Sequence, residues 1–361
     1  MLIYYLIFIF LIVLALEEDK LTTKSKVQLL FLCGLILILF SGLRGPNVDR
    51  DQYTYKAFYD KAQNLSFLLN NPQKYFKTIR YEPSLQIVFS SFKSLFQNGF
   101  PIAIFSYALL GVLLKIFAIK KISDKILLSL LLYYSTIFLL QDMTQIRIGV
   151  AIGFVFLSIP TILERNLLRF SLLILLGVFF HYSVIVFAPF YFINHKKINK
   201  TFYLLILVIP IFLHLSNFNP LYLLTKFDFG IYSEKLNAYV EMQKWRKESI
   251  NMFNFSILLQ IMFSFIFVVF NEKIENKYAI ILTKIYCYGV AAFYLLSFSP
   301  VIAFRLSEVL TCVQILLLPM LLSIIKPRVV AETLLIVISI LYFLNIVLIN
   351  NIFKSYSTIF Y

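Results

Sequence analysis

The stretch Leu172–Phe192, LLILLGVFFHYSVIVFAPFYF, holds His181, Tyr182 and Ser183 as the polar centre of an otherwise apolar run. Read as one piece, it is a long kinked helix. Read as two, over 168–180 and 182–193, it is a hairpin of short helices, and pieces of that length are typically tilted, broken or re-entrant rather than simple spans. The choice decides the topology. Apolar runs bounded by charges fall near 1–16, 26–43, 99–119, 126–141, 146–163, 168–180, 182–193, 202–215, 253–270, 278–297, 309–325 and 329–350. A full span needs about 20 apolar residues, and several of these runs are shorter.

Orientation comes from the loops between the runs. Asp19–Lys26 carries three lysines, Lys115–Lys125 four, Arg165–Arg169 two arginines, His195–Lys200 three lysines, Glu272–Lys277 two, and Lys326–Arg328 two basic residues. All of them fall on one side, as the positive-inside bias requires, if 168–193 is a hairpin. About 12 segments (10–14) then result, with both termini on the other side. A single helix there would set the two halves of the chain at odds. The first sixteen residues, MLIYYLIFIFLIVLAL, lack a basic start and a small-residue cleavage site and read as an uncleaved first helix.

Composition agrees with this class. Of 361 residues, 60% are hydrophobic and 14% charged, and the mean hydropathy is +0.85. No soluble core hides so much apolar surface, whereas in a bilayer helices satisfy their own backbone groups. The expected architecture is all-α and polytopic, one transmembrane enzyme domain over 1–361 with outer-face loops at 44–98 and 216–252. The formal charge of +15 would suggest nucleic acid in a soluble protein; here the lysines sit mainly in short loops, and no nucleic-acid partner is expected. Cys33, Cys287 and Cys312 lie within apolar runs and read as buried hydrophobes. There is no G-x-x-x-x-G-K-[ST], G-x-G-x-x-G, H-E-x-x-H or C-x-x-C, so neither nucleotide hydrolysis nor a zinc site has support. No cofactor is expected.

The outer side carries basic residues that the orientation rule does not explain: Arg44, Arg50, Arg80, Arg147 and Arg305. Arginine is the better fork for diphosphate and carboxylate. In SGLRGPNVDRDQYTYKAFYD, Ser41–Asp60, the residues Arg44, Asp49, Arg50, Asp51, Tyr53 and Tyr55 alternate in sign. A solvated interfacial loop with belt tyrosines is the plain alternative. The same pairing of arginine with acid recurs at Arg80–Glu82, Asp142–Arg147 and Arg305–Glu308. Glu82 stands where lipid begins, a setting suited to acid–base work, although an acid in a first helical turn is also ordinary. Gln141, Asp142, Gln145 and Arg147 stand at the outer end of two apolar segments, Arg147 beginning the second, where a charge costs about 2.5–3.5 kcal/mol and usually lines a cavity, unless it snorkels. His181 reads either as a helix-break residue or as a catalyst. Asp49 and Asp51 could hold a metal, but the interleaved arginines favour an anion site without one. GVAIG, Gly149–Gly153, has the spacing of close helix packing.

These pieces together resemble the EpsG-type Wzy polymerases, which polymerise oligosaccharide repeat units of bacterial surface polysaccharides. The resemblance rests on GLRGPNVDRDQYTY at 42–55, RYEPSL at 80–85, QIRIGVAIGF at 145–154 with FFHYS at 179–183, and AFRLSE at 303–308. Arg44, Val48, Asp51 and Tyr55 take the places of the family pattern, and Asp49 stands where glycine is usual. The resemblance implies a GT-C-like enzyme of the cytoplasmic membrane, its active site facing the periplasm or cell exterior. Donor and acceptor would be undecaprenyl-diphosphate-linked glycans, with a chain-length regulator as a further partner. On that reading Arg147 and Arg305, flanked by Arg44 and Arg80, stabilise the leaving diphosphate. Asp51, Glu82 or His181 takes the acceptor proton. Asp49, Tyr55, Gln145 and Glu308 complete the binding surface. The rival readings are an O-antigen ligase-like transferase and a flippase of the same lipid-linked glycan.

Overall fold

The computed structural model describes residues 1–71, 82–216, 251–297, 299–349 and 352–360. Among these residues the regular structure is helical, and β-pairing is confined to two isolated bridges. Six helices are long and apolar enough to cross a bilayer: Thr23–Gly42, Phe100–Ile122, Ile146–Leu163, Phe255–Lys273, Ile302–Ile324 and Arg328–Ile349. Six shorter apolar helices, Leu2–Leu16, Ile126–Asp142, Leu167–Phe180, Tyr182–Phe192, Lys200–Leu215 and Ala279–Leu295, complete the set. Numbered in chain order α1–α12, they coincide one for one with the twelve apolar runs. The protein is a polytopic all-α membrane protein. Outward leucines and phenylalanines such as Leu168 and Phe212 stay well exposed, as a lipid-facing surface requires.

The contested stretch is a hairpin. α6 stops at His181, whose backbone is extended at φ −154° and ψ 121°, and a 3₁₀-helix, α7, follows. A Cβ on Gly177 would lie 2.8 Å from Val184. Phe170 meets the Tyr191 ring at 5.1 Å, and Arg165 donates to the Tyr191 carbonyl at 3.0 Å. Residues 26 positions apart meet only if the chain doubles back. Fourteen α-residues at about 1.5 Å and eleven 3₁₀-residues at about 2.0 Å give arms of about 21 and 22 Å. Each is shorter than the roughly 30 Å hydrocarbon core.

Two compact units make up the chain, Met1–Tyr191 with Leu318–Tyr361, and Phe192–Leu317. In the first, α3 packs between α2 and α5, and α5 against α6. One end of this unit gathers charged loops. The Glu18 carboxylate accepts from the Leu128 amide at 3.0 Å, Asp19 pairs with Lys125, and Arg328 reaches Asp19 at 2.5 Å. Both chain ends meet at the other end, where Tyr4 packs on Phe353 and Tyr356. The 43–49 loop lies there too, bridged at Arg44 to Thr358 and at Asp49 to Phe353.

Inside this unit the structure corrects one reading of the loops. Lys115 belongs to no loop. It is fully buried within α3, its ammonium 2.7 and 2.9 Å from the two Asp142 oxygens and 2.5 Å from the Gly149 carbonyl. Tyr133 donates to the same carboxylate at 2.7 Å. A buried carboxylate must be paired in this way, so Asp142 is committed to Lys115 rather than to Arg147. Glycines make room for it. A Cβ on Gly111 would stand 2.4 Å from Asp142 Oδ1, and one on Gly149 2.9 Å away. The GVAIG spacing serves close packing as well, since a Gly153 Cβ would meet the Leu114 Cβ at 2.6 Å. In an open helix Gly→Ala stabilises by about 1 kcal/mol. At Gly111 the carboxylate is held on three sides and cannot yield, and overpacking costs about 1–3 kcal/mol. Gly111→Ala is therefore expected to lower the melting temperature in detergent; a rise would mean that Asp142 can move.

The second unit packs α8, α9 and α10 around Leu207, Val268, Cys287, Val290 and Phe293. Asn199 and Asn254 cap α8 and α9 through the amides of Phe202 and Ile257. The buried Lys284 ammonium gathers the carbonyls of Asn194 and Lys197 at 2.5 and 2.6 Å. All three cysteines are buried and free.

Candidate active site

The site grows from the loop that leaves α2. Arg44 is wholly buried, its Nε 2.8 Å from Asp49 Oδ2 and its Nη1 2.5 Å from the Ser41 carbonyl. The other Asp49 oxygen accepts the amides of Asp51 and Gln52, both at 3.0 Å. This turn starts the amphipathic helix Gln52–Lys61, with Asp51 at its N-cap position. Asn47 turns the chain at φ +65°, a conformation asparagine tolerates. The C-terminal segment straps the loop from above, since Gly45 donates to Ser357 at 2.8 Å and Lys354 to Val48 at 3.0 Å. Lys93 anchors the far end of the helix through the carbonyls of Asp60 and Ala62 at 2.7 and 2.8 Å.

Three more elements converge on this helix. Glu82 stands at the N-cap position of Pro83–Leu95, a helix opened by Pro83. Arg147, in the first turn of α5, donates through Nη1 to Glu82 Oε2 and lies 5.9 Å from the centre of the Tyr55 ring. His181, at the hairpin tip, has Nε2 3.7 Å from Glu82 Oε1. Phe180 fixes that tip, edge-on to Tyr107 and stacked on Phe154, each at 5.8 Å. The Ser183 amide donates to His181 Nδ1 at 3.3 Å. A ring nitrogen that accepts carries no proton, so the hydrogen-bond network assigns the proton to Nε2, facing Glu82.

Charge is apportioned unequally among the acids. Both Glu82 oxygens are engaged, one by Arg147 and one facing His181. Asp49 is buried and saturated. The half-buried Asp51 carboxylate forms no ion pair among the described residues, and burial together with the neighbouring Asp49 raises it above the usual aspartate range, against the pull of Arg50 and Arg147. Burial also pushes the Tyr55 hydroxyl up to about 12 despite Arg147 beside it. Tyr55 is thus a neutral phenol at physiological pH. Such an arrangement offers a cation with an unpaired, buried Nε, a neutral imidazole and one accessible carboxylate.

Of the residues singled out in the sequence, Asp51, Tyr55, Glu82, Arg147 and His181 come together here. Gln145 is half-buried two residues before Arg147, its carbonyl accepting the Gly149 amide at 3.1 Å. Arg44 and Asp49, expected at the substrate, pair with each other in the interior and shape the loop. Arg305 and Glu308 belong to the second unit, one turn apart on Pro300–Thr311, the first exposed and the second half-buried. Arg80 lies outside the described residues. No group of three or more His, Cys, Asp or Glu side chains suited to a metal occurs among the described residues. Sequence reasoning named Ser183 only as part of the polar centre and did not read that its amide sets the His181 tautomer, and it passed over Gln52, which borders a cavity beside the loop. The strap at 352–359 also went unread: its only signal was a polar, tyrosine-containing tail after the last apolar run.

Comparison with known proteins places the chain. The EpsG family is matched over residues 26–361. The chain is also 30% identical over 185 residues to the amylovoran biosynthesis protein AmsC of Erwinia amylovora, an alignment covering 50% of this chain and 49% of that one. It thus spans about half the length of that curated relative. No solved structure matches it.

Proposed function

Because the chain belongs to the EpsG family, we propose that it is a polysaccharide polymerase joining undecaprenyl-diphosphate-linked oligosaccharide repeat units at the outer face of the bacterial cytoplasmic membrane. The observation that carries this reading is the meeting of Asp51, Tyr55, Glu82, Arg147 and His181 at the end of the first unit where both chain termini lie. An acceptor hydroxyl attacks the anomeric carbon of the donor. The new C–O bond forms as the bond to the diphosphate breaks, the electron pair leaves with the diphosphate, and the hydroxyl proton passes to Asp51. Arg147 stabilises the charge that develops on the leaving group, a preorganised electrostatic role. Glu82, held between Arg147 and His181, is a positioning residue that aims the guanidinium. Tyr55 closes the arginine's other flank.

The test is purified protein in nanodiscs, given lipid-linked repeat units from its own host, with products resolved on a gel. A ladder of lengthening glycans is expected. A single transfer to lipid A core without chain growth would make it a ligase, and movement of the intact lipid-linked glycan across liposomes without transfer would make it a flippase. The pH profile tests the base. An ordinary aspartate titrates near 3.9, and Asp51 is raised above that. The deprotonated form is the active one, so kcat/KM rises with pH through a limb lying above 3.9. Asp51→Asn is expected to remove that limb and about 10²–10⁴ of the rate. An unchanged limb in that variant would hand the role to another group.

A further inference from the structure

A cavity of about 370 Å³ opens beside the helix Gln52–Lys61. Gln52, Tyr53, Lys56, Asn98 and Phe100 line it, and Arg44 closes its inner wall. Tyr53 and Lys56 share one face of that helix, three residues apart, whereas Tyr55 points to Arg147 from another. One short helix therefore borders both the reacting cluster and the cavity, and Asp51 stands at its start.

Resting on the polymerase reading above, we propose that this cavity is the subsite for the terminal sugar of the acceptor glycan, and that it takes a neutral, hydroxylated ring. Charge argues first. Both cations bordering the cavity have an acidic neighbour, Arg44 in Asp49 at 2.8 Å and Lys56 in Asp60 on the exposed face, and Arg44 Nη2 is left as a buried donor without a hydrogen-bond partner. A neutral ligand needs no further countercharge, and a hydroxyl oxygen on it can accept from Arg44 Nη2. Hydrogen bonding argues next. Gln52 is only 6% exposed, yet its Oε1 has no hydrogen-bond partner, and a buried polar atom left unpaired costs about 1–3 kcal/mol. A sugar hydroxyl donates where a polyprenyl chain cannot, and the amide of Asn98 adds a second polar contact at the rim. Shape argues last. Phe100 and Ile104 give an apolar floor, and the Tyr53 ring, 78% exposed, offers a flat face with a polar tip. The volume lies at the low end of small-molecule sites, about 300–1,000 Å³, which suits an end sugar rather than a whole repeat unit. A ring seated there brings its hydroxyls toward Asp51, the residue next to Gln52.

The experiment uses the full-length protein in nanodiscs and the host's own repeat-unit oligosaccharide, freed from its lipid by mild acid. Saturation-transfer NMR reads which sugar touches the protein, and calorimetry reads its affinity. Contacts confined to the terminal sugar are expected. Gln52→Leu should weaken binding at least tenfold, Tyr53→Ala and Asn98→Ala at least fivefold, and Arg147→Ala less than twofold. In the polymerisation assay the two exposed-rim variants, Tyr53→Ala and Asn98→Ala, should raise the acceptor KM and leave kcat near that of the wild type. Absence of binding overturns the proposal, as does binding that Arg147→Ala abolishes, that the rim variants leave intact, or that inorganic diphosphate competes away. Failure of the polymerase reading shows separately, as a wild-type protein that binds the oligosaccharide and forms no ladder.

Discussion

Arg147→Ala is expected to lower the kcat of chain growth by at least about 10³-fold. Removal of one preorganised donor from a developing oxyanion costs about 10²–10³ in rate, and Arg147 supplies a full charge as well as donors. Its interaction strengthens as the diphosphate departs, so the loss falls on kcat more than on KM. Arg147→Lys keeps the charge but loses the planar fork and should sit between wild type and alanine. Folding needs its own control, because the substitution leaves the largely buried Glu82 without its guanidinium. The double variant Arg147→Ala/Glu82→Gln removes that unpaired charge. It should recover thermal stability and stay inactive. A ladder within tenfold of wild type in the double variant would reduce Arg147 to a structural partner of Glu82.

The helices of this protein were legible because lipid imposes a simple rule on sequence. Each apolar run bounded by charges became one apolar helix, and even the ambiguous run around His181 could be resolved by asking which reading put the basic loops on one side. Partner choice was not legible. Arg147 has Asp142 five residues away and Glu82 sixty-five away, and it takes the distant one because Asp142 is claimed from within α3 by Lys115. Lys115 was misread as a loop lysine, since it stands seven residues from the end of α3 in a run that closes on Lys120 and Lys121. Its place four residues after Gly111, on one helical face, was the signal that it looked inward. The choice between Asp49 and Asp51 was equally closed to the sequence. Only the turn shows that one carboxylate is spent on backbone amides and Arg44, in the manner of an Asx-turn, while the other stays half-exposed at the helix start.

The buried trio of Lys115, Asp142 and Tyr133 yields the largest expected stability effect. Lys115→Met leaves the Asp142 carboxylate in the interior with the Tyr133 hydroxyl as its remaining side-chain donor, and breaking a buried pair by one partner costs about 3–5 kcal/mol. That is a large share of a typical 5–15 kcal/mol folding free energy, so the variant should be recovered poorly and melt well below wild type. Replacing the whole set, as Lys115→Met/Asp142→Leu/Tyr133→Phe, removes both charges of the trio and leaves no Tyr133 hydroxyl without an acceptor. Apolar replacement of a buried ion pair is often neutral or stabilising, and the triple variant should regain most of the lost melting temperature. The trio touches neither Arg147 nor Asp51, but it anchors the turn from which α5 delivers Arg147, through Gly149 and through the Asp142 carbonyl, which accepts from Ser41 at 2.7 Å. If the trio only holds shape, the triple variant polymerises at a rate near that of wild type. Should it fold well yet make no ladder, the charges themselves act on the chemistry. Single variants within about 1 kcal/mol of wild type would sink the account of the pair as a structural necessity.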